Sequence, residues 1–466
     1  MYNKFNLSQK KGQLLFFLLI LFTVGMANSW KVFNYPPRSV HQWRQSDCAA
    51  YVKTYYRTGA DLLQPATYNL AGKQGRVISE FPVIYYISAQ IERLTGEHYW
   101  VTRTLTFICY LLGLSALLAC CRQWISDTVF ALFPVVLLAT SPYYYYYAIN
   151  FLPNIPAISF SFIGLYYFIR WEERSRLLPL ILGTLFFVLA TALNPTDGGI
   201  VWLAYARTRI SQFLFTGGQQ KKSKKEILPL LISFLIIGFS ILAWTRYVNW
   251  YNDQNENHQN LIGIYPIWSM DRDLMMYTAK RVVTEWSNVF QHRLVLIFTI
   301  LLLPVYIWKW KQLHSFLRIF TLLTGIGTIC YCILWFKAFT DHDYYQLPFV
   351  LPGVFLMITI AEYVTRILKP RLSRPVLLLS YSFCGLLALI SIYHNRNIQQ
   401  ERYTRTDYVY LNPAIYEVEP YLPKIAVSPT DAVVCVPDRS PNITLNAINN
   451  YGYTEEFNNH YYNIHT

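Results

Sequence analysis

"GIVWLAYARTRISQFLF", Gly199 to Phe215, decides how the whole chain is laid out. It is apolar enough to cross a membrane, except that Arg207 and Arg209 lie inside it. A charged side chain at the centre of a bilayer costs roughly 2.5–3.5 kcal/mol on insertion scales. The surroundings of this stretch show why its reading matters. The 466-residue chain is 54 % hydrophobic and 14 % charged, too apolar for a soluble fold of that length. A span needs about 20 mostly apolar residues. Windows of that kind fall near 14–33, 100–120, 128–148, 152–169, 177–195, 199–215, 227–245, 294–310, 319–336, 347–366 and 376–393, about eleven in all.

Charge settles the doubtful window. The formal net charge is +14, and the basic residues gather in short connections: Lys10 and Lys11, Arg122, "RWEERSR" at Arg170–Arg176, "KKSKK" at Lys221–Lys225, "KWK" at Lys309–Lys311 and "RILKPRLSRP" at Arg366–Pro375. With every window crossing, all of these fall on one side, as the positive-inside rule requires. Without 199–215, "KKSKK" and each later loop change sides. The sequence therefore predicts that 199–215 crosses, that the N-terminus is cytoplasmic and that the C-terminal tail is external. Basicity is then topology, which excludes nucleic acid as a partner. The protein is expected in the cell (inner) membrane as a multi-pass chain with an uncleaved first anchor.

The external side carries unequal segments: a first loop at about 34–98, a second before the eighth window, and a tail of about 70 residues. In the first loop, "DCAAYVKTYYRTG" places Ala49, Ala50, Val52, Tyr55 and Tyr56 on one helical face. "FPVIYYISAQIERLTG" has Pro82 where a first helical turn tolerates it. Both read as amphipathic helices on the outer membrane surface. "DAVVCVPDRSPNITLNAINNYGYT" in the tail turns from a β-branched run into a Pro- and Asn-rich segment, which suggests a small α/β cap. The tyrosine run Tyr143–Tyr147 reads as an interfacial belt. Two units follow: a transmembrane region at 1–394 and a small external region at 395–466. Six of the eight cysteines fall in or beside apolar windows without metal-ligand spacing, whereas Cys48 and Cys435 would both face an oxidising side.

Three polar constellations share the external face: His41, Arg44, Gln45 and Asp47 in "HQWRQSDCAA"; Arg76 and Glu80 in "GRVISEFP"; and Lys337, Asp341, His342, Asp343, Tyr344 and Tyr345 in "FKAFTDHDYYQLP". Singly, each has a plain structural explanation, such as Asp47 or Ser46 capping the helix that follows. Together they supply two carboxylates, Asp47 and Glu80, to deprotonate an acceptor or to hold a divalent cation, Mg2+ or Mn2+. Cationic and hydroxyl donors beside them suit a phosphate. At a membrane, that combination implies a lipid-phosphate substrate.

These motifs resemble the GT-C superfamily of polyprenyl-phosphate-sugar-dependent glycosyltransferases. The similarity is greatest to glycosyltransferase family 39 and its bacterial relatives, which include protein O-mannosyltransferases and the aminoarabinose transferase of lipid A. "HQWRQSDCAA" is the most specific signal, followed by "SEFPVIYYISA" and "HDYYQLP". The resemblance implies an α-helical polytopic membrane protein of GT-C type. It also implies a glycosyltransferase that moves a sugar from a polyprenyl-phosphate donor to a lipid, glycan or protein acceptor on the external or periplasmic face. By the resemblance, Asp47 matches the aspartate regarded as catalytic and Glu80 the second acid of a split pair, with His342 and Tyr345 near the lipid phosphate. One departure is Phe81, which stands where the aminoarabinose branch has a lysine. Phosphate binding then falls to Arg44, Arg76 and Lys337, and His41, Gln45, Asp343 and Tyr344 complete the candidates. Single displacement by the acceptor predicts inversion at the anomeric carbon.

Two other classes fit many spans with few charges. A transporter would place its ionisable groups near the midplane, where "LNPTDGG" with Asn194, Pro195 and Asp197 is the best such feature. A polysaccharide polymerase or ligase would favour arginine-rich external loops. The paired acids in the first loop favour the transferase, with acceptor choice assigned to the second external loop, "YNDQNENHQN" and "SMDRDLMMYT".

Overall fold

Each apolar window becomes a helix in the computed structural model, which describes residues 7–215, 224–257, 263–404 and 413–455. Most of "KKSKK", the end of "YNDQNENHQN" and the last residues of the tail lie outside the described residues. In chain order the helices are α1 (Leu7–Met26), α2 (Ser29–Val32), α3 (Gln42–Thr58), α4 (Val83–Thr95), α5 (Tyr99–Trp124), α6 (Thr128–Ala139), α7 (Pro142–Ala148), α8 (Asn154–Arg174), α9 (Leu177–Leu193) and α10 (Pro195–Phe215). They continue as α11 (Lys224–Gln254), α12 (Arg272–Arg281), α13 (Ser287–Phe290), α14 (Arg293–Trp308), α15 (Ser315–Trp335), α16 (Val350–Tyr363) and α17 (Arg374–Thr404). The tail adds β1 (Val433–Cys435), α18 (Ile443–Ala447) and β2 (Gly452–Thr454).

Among the described residues, five helices are long and apolar enough to cross a membrane, and two bent pairs raise that to seven. The count is below the eleven windows for identifiable reasons. Leu14–Met26 and Leu177–Leu193 are apolar but short. Helix α8 carries Asn154, serines, tyrosines and Arg170, yet nearly all of it is buried by its neighbours, so it has little need of an apolar surface toward lipid. At Gly113 an added Cβ would sit 2.5 Å from the Ser159 side chain, so α5 and α8 touch backbone to backbone. One bent pair is α6 with α7, turned by 68° where Ser141 caps Tyr144 and Pro142 restarts the helix. The other turns by 107° between Phe290 and Arg293.

The basic connections gather at one end. Asp127 binds Lys369, Arg122 donates to Thr128 at 2.8 Å, Glu172 binds Arg209, and Arg366 donates to the Gln312 carbonyl at 2.7 Å. These contacts join the α5–α6, α14–α15 and α16–α17 turns to one another and the end of α8 to α10. Helix α10 ties into this end through Arg209 and reaches the opposite end through Asp197, which accepts from Asn154 at 2.6 Å. The stretch that opened the reading therefore forms one continuous helix tied at both ends, but α10 is not among the helices long and apolar enough to cross a membrane, as its arginines lower its hydropathy. Asn194 accepts from the Thr196 and Asp197 backbone N–H groups, which closes α9 and starts α10.

At the other end, α3 and α4 form as expected, but protein covers α3: Cys48, Ala49, Ala50, Tyr51, Val52 and Tyr55 are all buried. Part of that cover is the tail. Ala50 and Tyr68 share a small core with Cys435, Leu445 and Ile448. Strands β1 and β2 pair in parallel, and the first loop joins their edge at Asn69. Gly452 is required there, because a Cβ would lie 1.9 Å from the Val433 carbonyl oxygen. Cys48 and Cys435 are both free thiols. The expected boundary at 394/395 falls inside α17, which continues without a break to Thr404.

Candidate active site

The start of α3 is held by buried polar side chains. Gln45 donates to the Arg38 and Val40 carbonyls at 2.8 Å each. Arg103, fully buried in α5, donates to the carbonyls of Tyr35, Pro36 and Ile149. His41 precedes the helix at φ 56°, a left-handed conformation that non-glycine residues seldom adopt. Gln45 thus acts as scaffold for the turn. Asp47 lies in the second turn of α3 and caps nothing. Arg44 and Asp47, three residues apart, share one face of the helix.

Glu80 comes from the segment before α4. Phe81 fixes that segment by donating its N–H to the Ala192 carbonyl at 3.0 Å and packing its ring on Trp244, 5.1 Å between centroids. Glu80 then faces Arg44, whose Nη2 lies 2.5 Å from Oε1, and it also accepts from the Tyr85 and Ser79 hydroxyls. Burial alone would raise its pKa. The Arg44 charge and these donors outweigh that and hold Glu80 below the usual carboxylate range.

Asp47 has the opposite balance. Burial raises its pKa to about 7, against the pull of Arg44 and of Asn442, whose Nδ2 donates to Oδ1 at 2.8 Å. Glu80 and Asp438 push it up further. The two acids that feel the Arg44 charge therefore differ in state: Glu80 is ionised and occupied, whereas Asp47 is poised to exchange a proton near neutrality.

The late loop meets the first loop here. Asp343 is buried and accepts from His41 Nε2 at 2.7 Å, from Arg402 Nη1 at 2.9 Å and from the Tyr147 hydroxyl. Its capacity is used within the protein, so it works as an anchor for the loop. Tyr344 packs its ring on His41 at 5.1 Å and on Tyr345 at 4.7 Å. Both tyrosines lie within reach of the Arg44 charge. His342 is exposed, 5.9 Å from both the His41 and the Tyr345 rings. Arg76 and Lys337 are exposed, and no contact among the described residues joins either to the Asp47 group. The charge of Arg76 is felt instead at Tyr251.

Sequence reasoning missed Tyr147, Arg402, Asn442 and Tyr85. It also placed Tyr143–Tyr147 in an interfacial belt, whereas all five are buried, turned inward by the bend after α6. Their uninterrupted run was the one signal in the sequence.

A divalent cation held between Asp47 and Glu80 does not fit this donor set. Both Glu80 oxygens are taken by Arg44, Tyr85 and Ser79, and the guanidinium already supplies positive charge between the acids. Among the described residues no group of three His, Cys, Asp or Glu side chains is placed to bind a metal.

Residues 79–244 match the sequence model of a family described as dolichyl-phosphate-mannose-protein mannosyltransferase. The match takes in Glu80 and ends before the late loop, with Asp47 outside it. No curated protein sequence matches the chain. Among solved structures, the arabinofuranosyltransferase AftD from Mycobacteria aligns with 95 % of this chain at 10 % identity and a TM-score of 0.49. The chain spans about a third of that protein's length, 32 %.

Proposed function

We propose that this chain, whose residues 79–244 match the model of a mannosyltransferase family, is a polytopic transferase of GT-C type that takes a sugar from a polyprenyl-phosphate donor. The acceptor is a hydroxyl or amine of a lipid, glycan or protein. The reaction is assigned to the external or periplasmic end of the helices, opposite the basic turns, with the N-terminus assigned to the cytoplasm by the same charge rule. One observation carries this reading: Asp47, with a pKa near 7, stands beside an Arg44–Glu80 ion pair under a late loop of histidine and tyrosines.

In the proposed step the acceptor oxygen or nitrogen attacks the anomeric carbon and its proton passes to an Asp47 oxygen. The bond from that carbon to the phosphate oxygen breaks on the far side, and its electron pair leaves with the polyprenyl phosphate. Configuration inverts, and no covalent sugar–protein intermediate forms. Arg44, one-fifth exposed at its side chain, receives the developing phosphate charge together with His342 and the Tyr345 hydroxyl. Glu80 holds the guanidinium in that position. The exposed cations Arg76 and Lys337 are left out of this phosphate site. A metal is not needed in this scheme, because the guanidinium does the charge compensation.

The test uses purified protein in lipid nanodiscs with a synthetic polyprenyl-phosphate mannose. Release of polyprenyl phosphate by the parent chain and its loss in Asp47→Asn is the expected result. Unchanged release in both Asp47→Asn and Glu80→Gln would remove the proposal.

A further inference from the structure

The tail lies along α3 like a strap. Asn442 donates to Asp47, the Asn446 carbonyl accepts from Lys53 at 3.1 Å, and the Asn449 carbonyl accepts from Arg57 at 2.8 Å. Three asparagines on or beside α18 thus meet three residues one to two turns apart on α3. The contact at Asp47 is the most constrained. Asn442 Oδ1 accepts the Asn69 backbone N–H at 3.1 Å, which fixes the amide so that its Nδ2 faces the carboxylate. Asn442 is itself buried at 1 % exposure. The turn before it is set by Asp438, which accepts from the Ser440 N–H and hydroxyl and from the Thr444 N–H. Asn69 is tied back by donating to the Pro441 carbonyl and the Thr454 hydroxyl.

We infer that the tail segment 438–454 is part of the catalytic apparatus, with Asn442 as a positioning residue that orients the Asp47 carboxylate and favours its ionised form. This inference rests on the reading of Asp47 as the base. A packing role alone would be served by the Ala50, Leu445 and Ile448 contacts and would need no amide directed at an acid. The chemistry gives the role a sign. A hydrogen bond donated to a carboxylate favours the charged state. Other groups facing Asp47 are Arg44 and Cys48 from α3, Glu80 before α4, Asp438 from the tail and Tyr344 from the late loop. Of these, only Arg44 opposes the two acids, so loss of the Asn442 amide leaves them less balanced.

The experiment reads the Asp47 proton without relying on turnover. Full-length protein in nanodiscs is treated with a hydrophobic carbodiimide, which reacts with protonated buried carboxyls, across a pH series, and labelling of the Asp47 peptide is quantified by mass spectrometry. The parent should lose label with a midpoint near 7. In Asn442→Ala that midpoint should move up by about one pH unit, the size of a hydrogen bond to a charged group. Asn442→Asp, the same size and now acidic, should move it further, and it serves where the alanine variant does not accumulate. Arg57→Gln, which loosens the strap away from the carboxylate, should lower thermal stability and leave the midpoint in place. An unmoved midpoint in both Asn442 variants overturns the inference. Should Asp47→Asn keep full transfer while the midpoint still moves, the base assignment fails and takes this inference with it. If Asp47→Asn abolishes transfer and the midpoint stays, this inference alone fails.

Discussion

Carboxylates meet cations at both ends of the helices, and the two ends use them differently. At the basic end Asp127 accepts from Lys369, from the Tyr381 hydroxyl at 2.5 Å and from the N–H groups of Val129 and Phe130. Glu172 likewise takes both Arg209 and the Tyr205 hydroxyl. Such groups are spent on tying turns together. At the other end Asp47 accepts one hydrogen bond, from Asn442, and lies partly open beside an arginine already paired to a different acid. Residue type does not separate a structural carboxylate from a chemical one. What sets Asp47 apart is unused acceptor capacity combined with a partly open position beside a paired arginine and the late loop.

Exchanging the acid at each end should therefore have opposite consequences. Asp47→Asn removes the proton acceptor and should lower transfer by about 10^2–10^4-fold, the range for general base catalysis, with thermal stability unchanged or raised. Glu80→Gln should follow with a loss of about ten- to a hundredfold, expressed largely in the KM for the donor, because Arg44 loses its charged partner. Asp127→Ala should do the reverse. It removes a helix cap and two side-chain partners, costs roughly 1–2 kcal/mol of stability, and leaves the rate per folded molecule intact. A rate loss in Asp127→Ala equal to that in Asp47→Asn would erase the distinction between the ends.

The same comparison has a pH form. Asp47 keeps its proton to about 7 in the folded chain, above the ordinary aspartate value of 3.8. Its contribution to stability is therefore present at low pH and falls as pH rises between those two values. Glu80, held below 4.5, contributes stability above that value and loses it as the pH falls through its lowered pKa. Transfer needs Asp47 ionised, so the rate should climb with pH to a plateau above about 7. Rates of donor consumption from pH 5 to 9 check the limb, and a flat profile across that range would contradict the assignment.

Much of this arrangement is legible in the sequence, and the reasons are physical. Apolar runs form helices wherever the period allows, and short basic turns mark one end because charge stays out of hydrocarbon. "HQWRQSDCAA" puts Arg44 and Asp47 on one face by helical spacing alone. Contacts made across long separations leave no comparable trace. Asn442 reaches Asp47 over 395 positions, and Asp343 reaches His41 over 302. The tyrosine run was open to two readings because ring and hydroxyl suit either an interface or a buried network. A bend of 68° settles it by turning Tyr147 onto Asp343. Arg402 carries no sequence signal, since nothing there shows that α17 continues past the last apolar window to bring it back to the late loop.

The smallest effect is expected at a residue whose sequence context promised more. Arg76 lies four positions before Glu80 in the same loop, which made it a candidate for the donor phosphate. An isolated antiparallel bridge between Ala66 and Arg76 fixes its backbone, and its side chain is exposed, with its charge felt at Tyr251 of α11. A surface cation in water contributes little to a site it does not touch, because solvent and salt screen it. Arg76→Ala should change transfer by less than about twofold at 0.15 M salt, and the residual effect should shrink as salt rises. Arg44→Ala under the same conditions should lose transfer at every salt concentration, since its partner Glu80 would be left buried without a counter-charge. A salt-independent loss at Arg76 comparable to that at Arg44 would move the phosphate site outward along the first loop, away from the carboxylate pair.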